Sequence, residues 1–180
     1  HHRSSAASDV YKRQELLTLP GAQIHNGSRL LWLPDNTLLM TTGDAAEPDN
    51  SQDLGSLNGK ILRLNPDGTI PEDNPFGESY VYTWGNRNAQ GLCIGPNGRV
   101  YASEHGQNQD DEFNLVEPGR NYGWPDVQGA CNAPSEQAFC DEWDVMEPLK
   151  AWTPCIALNG LEYYTHCLLY TSPSPRDTLL

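Results

Sequence analysis

The chain has 180 residues, with 11 lysines and arginines against 24 aspartates and glutamates, for a formal net charge of −13 at pH 7. That acidity opposes binding to nucleic acid or to an anionic membrane surface, and it suits a protein that handles neutral or cationic partners. No apolar run approaches the ~20 residues that a helical bilayer span requires.

Taken in chain order, the first stretch is "SSAASDVYKRQ" (Ser4 to Gln14), and its counterpart near the other end is "CLLYTSPSPRD" (Cys167 to Asp177). Neither has a hydrophobic period or turn pattern related to what lies between them. "DVYKRQ" back-translates as GAT GTG TAT AAG AGA CAG. The reverse complement of that string, read one base later, encodes C-L-L-Y-T-S. Residues 1–14 and 167–180 are therefore expected to be translations of sequencing adapters, non-native and disordered, with 15–166 the protein proper. Without the four basic and two acidic residues of the flanks, 7 basic and 22 acidic residues remain, a net charge of −15. The same cut removes Cys167 and leaves Cys93, Cys131, Cys140 and Cys155. Cys131 and Cys140 share a polar loop; a disulfide in an oxidising compartment and two free thiols in a reducing one are both compatible with that spacing.

Between the flanks the pattern is that of a β protein. "RLLWL" (Arg29 to Leu33), the turn "PDN" and "TLLMTT" form the first predicted hairpin. "KILRL" (Lys60 to Leu64), "NPDG" and "TI" form the second, and "GLCIG" (Gly91 to Gly95), "PNG" and "RVYASE" the third. In each, Pro with Asn, Asp or Gly supplies the turn between two apolar strands. No segment carries a helical period over three turns. Evenly spaced hairpins favour a propeller over a closed barrel, while a sandwich remains open on pattern alone.

The longer inserts follow strand ends, where loops carry chemistry. They are "TTGDAAEPDNSQDLGSLNGK" after Met40, "WGNRNAQG" (Trp84 to Gly91) and "SEHGQNQDDEFNLVEPGRNYGWP" (Ser103 to Pro125), with "IHNGSRL" (Ile24 to Leu30) before the first strand. Taken singly, each has an ordinary structural explanation. His25 fits a hydrogen-bonded structural histidine, Arg87 a loop pin, "NQDDE" a solvated acidic face, and "NYGWP" a rigid turn with an aromatic plug. Asp110, Asp111 and Glu112 also offer hard oxygens of the kind calcium takes, although the order of an EF-hand is absent.

In combination they say more. "IHNGSRLLWLPDNTLLMTTGD", "LNGKILRLNPDGTIPEDNPF", "YTWGNRNAQGL" and "SEHGQNQDDEFNLVEPGRNYGWP" occur in that order over most of Ile24 to Pro125. Together they resemble the soluble glucose/sorbosone, or aldose sugar, dehydrogenases that depend on pyrroloquinoline quinone (PQQ). The resemblance implies an all-β fold, a six-bladed β-propeller of four-stranded antiparallel sheets. This chain would supply about two to three blades, which on their own would aggregate or stay molten. It also implies oxidation of an aldose at its anomeric carbon by hydride transfer to PQQ, with calcium as a second cofactor and an electron acceptor as partner. A periplasmic or secreted location and a homodimer of the full-length protein complete the expectation, and nucleic acid and membrane insertion have no part in it.

Carried onto this sequence, the resemblance makes His25 the base, Asp44 the carboxylate that orients it and Arg87 the charge stabiliser beside the quinone. Asn88, His105 and Asp111 join Arg87 around the cofactor. The backbone carbonyls of Gly106 and Gln107 become calcium donors, and Glu112 and Tyr122 match ligands of a second, structural calcium. Three positions depart from the family pattern. Gln107 replaces a proline, Asn86 a histidine and Ala89 a proline. The family's basic contacts to the quinone carboxylates lie in later blades. Gln107 and Asn86 lean slightly toward the alternative, a non-catalytic propeller of the same superfamily that binds a protein or glycan, as relatives of the hedgehog-interacting protein do. His25, Asp44 and Arg87 together favour the enzyme.

Overall fold

A computed structural model describes residues 15–165 of the chain. Both flanks, and His166 with them, lie outside the described residues. Among the described residues, eight strands form two four-stranded antiparallel sheets, each in chain order. The first holds β1 (Leu30–Trp32), β2 (Leu38–Thr42), β3 (Lys60–Leu64) and β4 (Val81–Thr83). The second holds β5 (Ala89–Ile94), β6 (Val100–Glu104), β7 (Asp111–Val116) and β8 (Lys150–Trp152). Two consecutive meanders packed face to face are two blades of a β-propeller. They correspond to the lower bound of the two to three expected.

Period-two patterning explains why the sheets stack. Successive side chains of a strand point to opposite faces. Leu39 and Ile61 of the first sheet meet Leu92, Val100, Ala102 and Val116 of the second in the inter-blade core. Met40 and Leu62, paired across β2 and β3, face the other way and pack with Val81, Trp84 and the incoming Leu17 and Leu19. Sheets buried on both faces are what radial stacking requires. On β1, Leu30 and Trp32 remain more than half exposed.

The first two turns are built alike. Leu33 N–H bonds the Thr37 carbonyl at 2.9 Å, and Asn65 N–H bonds that of Thr69 at 2.9 Å. In each, the turn aspartate (Asp35 or Asp67) accepts from the backbone and hydroxyl of the following threonine. The strand expected after the second turn does not form. β3 pairs with β2 on one side and β4 on the other, and residues 69–80 instead make a loop. Two side chains hold that loop: Asn74 Nδ2 donates to the carbonyls of Arg63 and Ser79, and Asp73 pairs with Arg63 at 2.8 Å. A second correction concerns the insert from Ser103 to Pro125, which contains β7 and is not wholly loop.

The polar stretch after it carries a helix, α1 (Pro134–Trp143), that the sequence pattern did not announce. Pro134 opens it, and Glu136 accepts from the Ala133 N–H at 2.9 Å. A disulfide joins Cys131 to Cys140 and pins the helix to its preceding loop. Cys93 and Cys155 are free thiols.

Candidate active site

The loop before β1 delivers His25. His25, Gly27 and Ser28 all have left-handed backbone angles, so the loop coils tightly onto the end of β2. A Cβ at Gly43 would collide with the His25 carbonyl, which explains a glycine there. The next residue, Asp44, is 1% exposed. Its Oδ1 lies 2.7 Å from His25 Nδ1 and accepts the Ala46 N–H at 2.9 Å, while its own N–H donates to the Arg87 carbonyl at 2.8 Å. A carboxylate oxygen accepts, so the imidazole presents its Nδ1–H to Asp44, and Nε2 is the ring nitrogen left outside the pair. His25 also borders a cavity of about 190 Å³ with Pro20, Asn26, Thr42 and Asn58.

The β4–β5 connection delivers Arg87 and Asn88. Glu104, at the end of β6, organises it. One carboxylate oxygen accepts the N–H groups of Arg87 and Asn88, and the other accepts Asn86 Nδ2 at 2.9 Å. Burial raises the Glu104 pKa, and those donors together with the Arg87 charge oppose the rise. Arg87 Nη1 donates to the carbonyls of His105 at 3.1 Å and Gly106 at 2.9 Å. Asn88 Oδ1 accepts Gly27 N–H at 3.3 Å and Gln90 Nε2 at 2.9 Å, so this asparagine ties the His25 loop to the Arg87 loop.

Asp111 opens β7 and braces the loop between β6 and β7. Burial alone would raise its pKa. Hydrogen bonds from Gly106, Cys155, Ile156 and Leu158 outweigh that and lower it. Glu112 faces Glu104 across β6 and β7 in register. Burial, and then the neighbouring Glu104 charge, push its pKa up to about 8. Gly129 N–H and Asn114 Nδ2 each donate to it at 2.9 Å. The Tyr122 hydroxyl is committed to the backbone, donating to Leu115 O at 2.6 Å and accepting Glu117 N–H at 3.0 Å. Gln107 is exposed. A small cavity of about 20 Å³ is lined by Arg87, Glu104, His105, Gly106, Glu112 and Tyr122, among others.

Of the expected residues, His25 borders one cavity and Arg87, His105, Gly106, Glu112 and Tyr122 line the other, while Asp44, Asn88, Gln107 and Asp111 line neither. Trp124 joins them: its Nε1 donates to Asp44 Oδ2 at 3.0 Å, and the Arg87 guanidinium lies 5.2 Å from its ring centroid. Sequence reasoning gave Trp124 only the part of an aromatic plug and gave Glu104 none. Glu104 had a readable signal. It follows Val100 and Ala102 on the apolar face of β6, where an unpartnered acid would be costly.

Comparison with known proteins agrees with this architecture. The family model described as Glucose / Sorbosone dehydrogenase matches residues 2–171. An uncharacterized protein, slr1608, of Synechocystis is 42% identical over 166 residues, covering 82% of this chain and 40% of that protein. Quinoprotein glucose dehydrogenase B of Acinetobacter calcoaceticus is 40% identical over 136 residues, covering 63% and 28%. The PQQ-bound aldose sugar dehydrogenase of Streptomyces coelicolor superposes with a TM-score of 0.67 at 41% identity, over 75% of this chain and 38% of that one. The chain therefore spans well under half the length of these relatives. On the match over residues 2–171 and the two packed blades, this chain belongs to the glucose/sorbosone dehydrogenase family.

Proposed function

We propose that this chain supplies the base-bearing part of a PQQ-dependent dehydrogenase that oxidises aldose sugars at the anomeric carbon. The observation that carries this reading is the His25–Asp44 pair, held in the same hydrogen-bonded frame as Arg87. His25 Nε2 takes the proton of the anomeric hydroxyl, and Asp44 keeps the ring in the right tautomer and stabilises the imidazolium. Arg87 brings a permanent positive charge to the place where negative charge develops. When bound beside Arg87 and His105, PQQ would supply a hydride acceptor, and calcium on the carbonyls of Gly106 and Gln107 would supply a Lewis acid.

Two buried polar atoms support a ligand at the Arg87 cavity. Among the described residues, Arg87 Nε and His105 Nε2 have no hydrogen-bond partner. Such atoms fit a group that brings its own oxygens. Asn88 and Asp111 act there by holding the loops that carry Arg87 and Gly106. Arg87 is the only basic side chain other than His105 among the residues lining that cavity. Partners for the quinone carboxylates belong to other parts of the full-length protein.

Calcium rests on the resemblance and on donor chemistry. The carbonyls of Gly106 and Gln107 are hard oxygen donors, although Gly106 already accepts from Arg87. Among the described residues no group of three or more His, Cys, Asp or Glu side chains could hold a metal. Glu112 is the buried carboxylate nearest in kind to a structural calcium ligand; Tyr122 could add only its backbone carbonyl, because its hydroxyl is committed elsewhere. The Cys131–Cys140 disulfide supports a periplasmic or secreted location. No helix among the described residues is long and apolar enough to cross a membrane. An electron acceptor and homodimerisation of the full-length protein complete the proposal.

The test is reconstitution of the full-length protein with PQQ and calcium, followed by aldose-dependent reduction of an artificial acceptor. Turnover should fall on chelation of calcium. His25→Ala should remove it by at least ~10²-fold while leaving PQQ bound. An inactive reconstituted parent, or His25→Ala with parental turnover, would sink the reading.

A further inference from the structure

Trp124 lies outside every role described for the reaction, yet it touches both of the charged groups that the reaction would use. Its indole N–H is the donor to Asp44 Oδ2, at 3.0 Å and out of contact with solvent. Asp44 Oδ1 is already occupied by His25 Nδ1 and Ala46 N–H. Without the indole, nothing else among the described residues holds the second oxygen, and only the two bonds at Oδ1 restrain the carboxylate about its χ2 bond. On its ring face, Trp124 carries the Arg87 guanidinium 5.2 Å from the centroid. That contact is a cation–π interaction in a desolvated setting, worth on the order of a tenfold change in an equilibrium.

The backbone at Trp124 is itself held from three segments. Trp124 N–H donates to the Gly85 carbonyl at 3.0 Å, and its carbonyl accepts Gln52 Nε2 at 2.6 Å. Gln52 and Asn121 exchange amide hydrogen bonds at 3.0 and 3.1 Å, and Asn121 Oδ1 also caps the Gly123 N–H at 2.9 Å. The backbone that carries the indole is therefore fixed, and the ring in turn contacts both Asp44 and Arg87.

We propose that Trp124 is the positioning residue that sets the His25–Asp44 pair and the Arg87 guanidinium in one frame, acting through its N–H on the first and through its ring face on the second. The proposal rests on the dehydrogenase reading for its kinetic consequence, but not for its structural one.

Two variants of the full-length protein separate the two contacts. Trp124→Phe keeps a ring under Arg87 and deletes the donor to Asp44. It should lower kcat about tenfold, with the Kd for PQQ within about threefold of the parent. Trp124→Leu deletes both contacts and should weaken PQQ binding a further tenfold or more. Equal losses of kcat and PQQ affinity in the two variants would overturn the proposal, because a purely structural residue gives that result.

A spectroscopic arm needs neither cofactor nor turnover. In the cofactor-free protein, Trp124→Phe should move the His25 ring resonances, and Asp44→Asn should move the Trp124 indole N–H resonance. Unmoved His25 resonances in Trp124→Phe, or an unmoved indole signal in Asp44→Asn, would overturn it whatever the sugar assay shows. If both resonances move while the parent oxidises no aldose, the positioning role stands and the dehydrogenase reading falls. The Asp44→Asn measurement keeps Trp124 in place, so it decides the matter even if the tryptophan variants fail to fold.

Discussion

His25 Nδ1 and Asp44 Oδ1 lie 2.7 Å apart, with the carboxylate sealed from solvent and the imidazole partly open to it. The pair is asymmetric in the way a base and its orienting group must be. Asp44→Asn replaces an oxygen that can only accept with an amide that can present N–H to Nδ1. The imidazole would then favour the tautomer with its proton on Nε2, the wrong nitrogen. On the proposed reaction, kcat should fall by about 10²–10⁴-fold with little change in KM for the sugar. Steady-state kinetics of the full-length protein checks this, and a loss confined to KM would contradict it.

Much of this arrangement was legible in the sequence, and the reasons differ by element. β3, Lys60–Leu64, was readable because five apolar or amphipathic residues end at an Asn-Pro-Asp-Gly turn. The strand expected at Thr69 and Ile70 was not real, because β3 is satisfied by β4, and the Arg63–Asp73 pair holds the segment between them as a loop. Helix α1 was invisible because its side chains show little amphipathic period; a proline start, a glutamate cap and a disulfide define it. His25, Asp44 and Arg87 came from ordered motifs, not from local pattern. Trp124 reaches Asp44 across 80 positions, and no window of sequence encodes such a contact.

Glu104 should prove to be the keystone of the Arg87 loop. Glu104→Ala leaves the N–H groups of Arg87 and Asn88 and the Asn86 amide without their acceptor, a loss of about 3 kcal/mol or more. Glu104→Gln retains one acceptor oxygen and should cost about 1–2 kcal/mol. Chemical denaturation of the two variants measures the difference. PQQ affinity should follow the same order. Equal stability for the two would mean that the loop is held by something else.

Lys60 gives the clearest pH signature. Its side chain is fully buried, and its Nζ donates to the carbonyls of Asn50, Ser51 and Asn58 within the loop that begins at Asp44. Burial pushes its pKa down from 10.5 to about 8, against a weaker upward pull from Asp53. Between those two values the unfolded chain still holds the proton that the folded chain has released. Stability therefore rises with pH across that window and gains nothing from Lys60 below it. Relative to Lys60→Met, the parent should gain about 2–3 kcal/mol from pH 8 to 10.5. Denaturant titrations at three pH values read this out. A gap between the two proteins that stays constant with pH would show that Lys60 does not titrate there.

The Cys131–Cys140 bridge closes a short loop with a sequence separation of 9. Loop entropy alone assigns it about 2–3 kcal/mol. The double substitution to serine should lower Tm by several degrees and expose the Gly129 N–H, which donates to Glu112 Oε1, to faster hydrogen exchange. An unchanged Tm would mean that α1 and Val127 hold this region without the bridge.

The joint between the sheets also has a consequence in time. Gly27 bonds Asn88 across 61 positions, Gln52 bonds Asn121 across 69, and Trp124 bonds Asp44 across 80. Each sheet is a local meander that can pair its strands early, but none of these three bonds can close until the segments that carry them dock. Competence must therefore lag behind β-structure when the full-length protein refolds. Recovery of turnover would report the docking of blade on blade, a step that circular dichroism of the strands alone would miss.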